Sequence, residues 1–180
     1  MRLFIAIELP DPIKAKIEKG ALLLRAACQR GTFSQKDNYH VTLVFLGEIP
    51  PERAQEITAI MDSCVSPPIP LAIGRPGRFR RDGGDVFWRA IGAPASLAAL
   101  QQNLTQALTA KGFTAEEGKT FTPHLTLARQ AVLKEGIAFS ALSDTMPEME
   151  LTAQNMTLMR SERIDGKLTY TPIHRSDLGG

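Results

Sequence analysis

Residues 39–46, YHVTLVFL, decide how the rest of the chain reads, because nearly the same phrase returns at residues 123–130 as PHLTLARQ. Alternation of apolar and polar residues makes each phrase a half-buried strand. On a strand, residues i and i+2 share a face and sit about 7 Å apart, while i+1 and i+3 face the other way. His40 and Thr42 are therefore expected on one face, with Val41, Leu43 and Phe45 turned into a core. His124 and Thr126 repeat the arrangement over Leu125 and Leu127.

The two histidines stand 84 residues apart (124 − 40), and laying the chain over itself at that offset extends the match. RLFIAIELPDPIKAKI falls on VFWRAIGAPASLAALQ without a gap, placing Ala6 over Ala90, Ile7 over Ile91, Pro10 over Pro94 and Ile13 over Leu97. Each copy opens with a short apolar strand and a proline that suits the start of a helix. A helix follows: Ile13, Ile17 and Leu24 recur at helical spacing in the first copy, and Leu97, Leu100, Leu104 and Leu108 in the second. Lys111-Gly112 is expected to end the second helix and Gly31 to mark the turn after the first.

A third helix is expected in PPERAQEITAIMDSCV, whereas the matching region after Gln130 reads as loop. Two hairpins complete the set. IPLAIGRPGRF turns through Asp82-Gly83-Gly84 into DVFWRAI, and LTAQNMTLMRS, taken as one strand, turns through Asp165-Gly166 into KLTYTPI. The expected fold is α+β: antiparallel strands and about three helices in two related lobes. Residues 1–180 are expected to form one domain built by internal duplication.

With 43% hydrophobic and 22% charged residues, composition excludes a disordered or fibrous chain. The apolar run Leu3–Ile7 stops at Glu8, short of a signal peptide, and no stretch is long enough to span a bilayer, so the cytoplasm is the default compartment. A net charge of +2 excludes strong non-specific attraction to nucleic acid, so any basic surface must be local. Arg75, Arg78, Arg80 and Arg81 in GRPGRFRRDGG are the candidate patch, with a solvated loop as the equal alternative. Cys28 and Cys64 lack metal or disulfide spacing and read as free thiols.

A single His-Thr strand is ordinarily a satisfied polar face. Two of them, on lobes related by a pseudo-twofold axis, can occupy opposite walls of one cleft. That suits displacement at phosphorus, where attacking and leaving oxygens lie in line. One imidazole takes a proton while the other supplies one, and the Thr42 and Thr126 hydroxyls donate to non-bridging oxygens. The scheme needs no cofactor and no metal. A zinc site normally wants three or four close ligands, and His174, the one further histidine, has no partner in the overlay and reads as a surface or packing residue. A cleft that binds RNA ends or nucleotides without turning them over is the alternative.

In RLFIAIELP, HVTLVFLGE, FTPHLTLAR and YTPI the chain resembles, over nearly its whole length, the two-histidine phosphoesterase superfamily, and within it the RNA 2′,3′-cyclic phosphodiesterase or 2′-5′ RNA ligase family. The resemblance implies a bilobal fold with the active site between the lobes. It also implies metal-independent opening of a terminal cyclic phosphate to a 2′-phosphomonoester, with a weaker reverse joining of RNA ends. The implied partners are RNA ends, tRNA fragments among them, or nucleoside 2′,3′-cyclic phosphates, with monomer as the default state. His40 would be the proton donor, His124 the acceptor, and Thr42 and Thr126 the phosphate holders. Arg129 becomes a candidate substrate contact although ideal alternation turns it away from the cleft, and Tyr170 a candidate for stacking on a base. Tyr39, where the family pattern expects an aliphatic residue, is expected to alter the cleft wall.

Overall fold

A computed structural model describes residues 1–64, 66–92, 94–113 and 120–179. Strand β1 (Arg2–Glu8) carries five consecutive buried residues, Leu3 to Ile7, because both of its faces are covered. Leu3, Ile5 and Ile7 join the main core, while Phe4 and Ala6 form a small second cluster with Met159 and Tyr170 on the opposite face. That second face becomes the floor of the cleft.

β1 lies between β3 (His40–Glu48) and β8 (Asn155–Ile164), with β9 (Lys167–Asp177) outside, giving an antiparallel sheet of order β3-β1-β8-β9. The second antiparallel sheet is β2 (Cys28–Phe33), β6 (His124–Leu133), β5 (Asp85–Ile91), β4 (Ile69–Phe79) and β7 (Met149–Ala153), in that order. The sequence overlay maps β1 on β5 and β3 on β6, and each mapped pair is hydrogen-bonded as neighbours within its own sheet. This is the expected α+β architecture of two related sheets with helices packed outside.

The helices start alike. Pro10 (φ −61°, ψ 148°) precedes α1 (Asp11–Ala27), and Pro94 (φ −61°, ψ 152°) precedes α3 (Ala95–Ala110). α1 buries Ile17, Ala21 and Leu24 and α3 buries Leu97, Leu100, Leu104 and Leu108, each an i, i+3/i+4 stripe laid on the core. α3 ends as expected: Gly112 at φ 75° lets its own N–H reach Thr109 O (2.9 Å) and that of buried Phe113 reach Leu108 O (3.0 Å). α2 (Ala54–Ser63) follows a 3₁₀ turn at Pro51–Arg53, and a short α4 (Phe139–Ser143) stands where loop was expected.

Two expectations are corrected. Gly31 is no turn: α1 passes directly into β2, where a Cβ on Gly31 would lie 2.8 Å from Ala131 Cβ, so glycine there permits close approach of β2 to β6. LTAQNMTLMRS is two strands that part at Gln154. Leu151 pairs with Leu71 in the second sheet, and Leu158 pairs with Ile5 and His174 in the first. The β4–β5 and β8–β9 hairpins form as expected.

Candidate active site

β3 and β6 bring their polar faces to one cavity of about 300 Å³, bordered by His40, Thr42, His124, Thr126, Arg129 and Tyr170 among others. Val41, Leu43, Leu125 and Leu127 anchor these faces by burial in the core. Each imidazole is held by the same device. His40 Nδ1 lies 2.7 Å from Asn38 O, and His124 Nδ1 lies 2.8 Å from Thr122 O. A carbonyl only accepts, so each Nδ1 carries a proton and each Nε2 is left for chemistry. The neutral His40 Nε2 accepts from the Thr42 hydroxyl at 3.0 Å.

His40 sits on the aromatic floor, with the Phe4 ring centroid 4.9 Å away and the Tyr170 ring edge-on at 5.1 Å. Burial pushes its pKa down to about 4, partly opposed by the Asn38 carbonyl and reinforced by the positive charges of Arg129, His124 and Lys14. His40 is therefore neutral at pH 7 in the free protein. Burial also raises the Tyr170 phenol above its ordinary value.

Arg129 borders the cavity, against the parity of an ideal strand. The cause is a β-bulge: Trp88 pairs with Thr126 and Phe87 with Ala128, so β6 spends one extra residue, Leu127, against β5. Leu127 and Ala128 are buried in succession, and Arg129 returns to the cleft face with its guanidinium 3.5 Å from Thr126 Oγ1. β3 does the same at the equivalent place. Ala6 pairs with Thr42 and Ile5 with Val44, leaving Leu43 extra and bringing Phe45 out to border the cavity rather than into the core. Phe45, expected among the core residues, instead stacks on Phe4 at 5.8 Å.

Tyr39 is also corrected. It immediately precedes β3, only 1% exposed, with its hydroxyl donating to Glu18 at 2.6 Å, so it supports α1 and does not border the cavity. His174 pairs with Asp62 at 2.8 Å, apart from the cleft, as a surface histidine. In the arginine patch, Arg78 pairs with Asp85 at 3.3 Å, and exposed Arg75 lies 3.9 Å from Asp144 and 3.8 Å from Glu148. Cys28 and Cys64 are free thiols whose burial raises their pKa.

Asn38 was not singled out in the sequence. Its amide donates to Leu168 O at 2.8 Å, and its Oδ1 accepts the Tyr170 N–H at 3.3 Å, while its own carbonyl holds His40. One residue thus fastens the β8–β9 hairpin to the His40 ring. An isolated asparagine before Tyr-His carries no local signal of this. Among the described residues no group of three or more His, Cys, Asp or Glu could hold a metal, and no helix is long and apolar enough to cross a membrane.

A family model described as the 2′-5′ RNA ligase superfamily matches residues 10–165. A Geobacillus stearothermophilus protein named RNA 2′,3′-cyclic phosphodiesterase is 29% identical over 71% of this chain, although the match spans only 41% of that protein. An Escherichia coli (strain K12) protein of the same name is 27% identical over 97% of this chain and 94% of its own length. The crystal structure of E. coli LigT complexed with 3′-AMP superposes with a TM-score of 0.80 at 26% identity, covering 99% of this chain and 98% of that one.

Proposed function

The chain belongs to the 2′-5′ RNA ligase superfamily, and on that premise we propose that it is an RNA 2′,3′-cyclic phosphodiesterase that opens a terminal cyclic phosphate to a 2′-phosphomonoester. The observation that carries this is the pair of matched imidazoles, each pinned through Nδ1 and each bordering the same cavity as two threonine hydroxyls. Binding alone has no use for two rings pinned through Nδ1 in the same way, each keeping Nε2 as the nitrogen that can exchange a proton.

The phosphorus sits between the rings. His124 Nε2 takes the proton of the attacking water as its oxygen bonds to phosphorus. His40, in its protonated form, gives a proton to O3′ as the P–O3′ bond breaks. The anionic phosphate brings His40 into that form, since its negative charge opposes the burial and the positive neighbours that hold the free ring neutral. Once protonated, Nε2 no longer accepts from Thr42, whose hydroxyl turns to a non-bridging oxygen. Thr126 and Arg129 meet the remaining charge as it grows. Tyr170, with Phe45, offers an aromatic surface to the terminal base.

One chain supplies both histidines, so a monomer is competent. We read the 84-residue correspondence as an internal duplication, and the equivalent bulges at Leu43 and Leu127 support it. The cleft recognises a terminal nucleotide, and tRNA fragments, other RNA ends and free nucleoside cyclic phosphates all present one; the cytoplasm is the setting this assigns. Incubation with RNA ending in a 2′,3′-cyclic phosphate tests the proposal. A 2′-phosphate product, formed equally well with chelator, is expected; a 3′-phosphate or an unchanged end refutes it.

A further inference from the structure

The bulge at Leu127 is not the last irregularity of β6. From Thr126 to Ala131 the strand takes five steps, while β5 takes three from Trp88 to Asp85, so a second extra residue lies between Ala128 and Ala131. Pairing on the other side locates it. Thr32 meets Arg129 and Arg30 meets Val132, which sets Gly31 opposite both Gln130 and Ala131. Gln130 is the residue that leaves strand geometry, with φ at 50°. A second insertion reverses the alternation again: Ala128 and Ala131 both lie in the core, and Arg129, between the two bulges, faces the cavity.

Among the described residues Asp165 is the other non-glycine with positive φ, and it sits in the β8–β9 turn, where a tight hairpin asks for it. Gln130 lies inside a strand paired on both sides, where a left-handed residue is uncommon and persists only if its surroundings hold it. Two neighbours do so. Gly84, at the end of the β4–β5 turn, packs so closely that an added Cβ would lie 2.7 Å from the Gln130 carbonyl carbon. Arg30, reaching over from β2, places Nη1 3.3 Å from Gly83 O and 3.5 Å from Gln130 O, tying that turn to the bulge. The Gln130 side chain is exposed and does not border the cavity, so what it supplies is its backbone conformation.

The first lobe contains the same pair of bulges. Phe4 pairs with Phe45 and Leu3 with Gly47, leaving Leu46 extra as Leu43 is, and Phe45 is the side chain turned into the cleft between them. Leu46 matches Gln130 at the 84-residue offset. There the left-handed residue is the next one, Gly47, at φ 72°. Two insertions thus invert one short stretch in each lobe, and in the second lobe that stretch carries a cation.

We propose that Gln130 is a positioning residue: its left-handed backbone, clamped between Gly84 and Arg30, closes the second bulge and so aims the Arg129 guanidinium at the phosphate. The inference rests on the phosphodiesterase function proposed above and on the part Arg129 has in it.

The test compares Gln130→Val, whose β-branched side chain disfavours φ near 50°, with Gln130→Gly and Gln130→Asn, which tolerate it. With a nucleoside 2′,3′-cyclic phosphate, Gln130→Val should lose about tenfold in kcat/KM, the scale of one charge-assisted hydrogen bond, while the glycine and asparagine variants stay within about twofold of the parent. In an Arg129→Ala background Gln130→Val should change nothing further. Exposed Arg30, replaced by glutamine, should lose about threefold, again only when Arg129 is present, and gives the same reading if Gln130→Val does not fold. Parent-like rates in the valine or Arg30 variant, equal losses in valine and glycine, or losses that persist without Arg129 overturn the proposal. Binding of inorganic phosphate, followed by NMR of the His124 ring, repeats the comparison without turnover: affinity should fall in Gln130→Val and hold in Gln130→Gly. That pattern in a protein that leaves the cyclic ester intact refutes the phosphodiesterase function and keeps the positioning.

Discussion

Replacing His40 with glutamine should make the protein less sensitive to acid, and the size of the effect follows from the setting of the ring. In the fold its pKa is about 4 against an ordinary 6.5, because burial over Phe4 and beside Tyr170 disfavours the imidazolium. The unfolded chain binds a proton there below pH 6.5, and the folded chain resists until about pH 4. Stability from the neutral ring is thus fully present above 6.5, declines as pH falls, and is wholly lost below 4. One pKa unit corresponds to 1.36 kcal/mol, so the full loss is about 3 kcal/mol, of which about 2 kcal/mol has gone by pH 5. Urea unfolding at pH 8 and pH 5 reads this directly. The parent should lose about 2 kcal/mol more than His40→Gln between the two conditions. Parallel losses in the two proteins would show that the ring is not held neutral by its surroundings.

Arg129→Ala removes one of the positive charges that depress His40, so an NMR titration of that ring in the free protein should move to higher pH, while phosphate binding in the cleft weakens. An unchanged titration would place Arg129 too far away to act on the ring. Asn38→Ala breaks two hydrogen bonds to β9, at about 1 kcal/mol each. Unfolding measurements should show that loss, and NMR should show altered Tyr170 and His40 environments; an unaltered spectrum would deny the fastening. Gly31→Ala drives a Cβ against Ala131 and should cost about 1–3 kcal/mol of stability, readable by urea titration.

Much of this was legible in the chain itself because a period of two is robust. His40, Thr42, His124 and Thr126 share faces by alternation, and Pro10 and Pro94 open equivalent helices in equivalent backbone geometry. What alternation misses is the bulge. LTLVF and LTLAR contain no glycine or proline to announce an extra residue, yet the insertion reverses the parity of everything after it. That reversal exposes Phe45, placed in the core by alternation, and brings Arg129 into the cleft. The break at Gln154 was hidden for a related reason: strand propensity runs through both segments, and only long-range pairing with Leu71 on one side and Ile5 on the other separates them. Asn38 and Tyr39 depend on partners far along the sequence, Leu168 and Tyr170 for one and Glu18 for the other.

The central claim is that two rings act on one phosphorus as a unit, and turnover of a nucleoside 2′,3′-cyclic phosphate by His40→Ala, His124→Ala and the double variant tests it most directly. Each single variant should lose at least about 100-fold in kcat, and the double should lose little more than the worse single, because groups that act together fail together. Full activity in either single variant, or losses that multiply in the double, would contradict it.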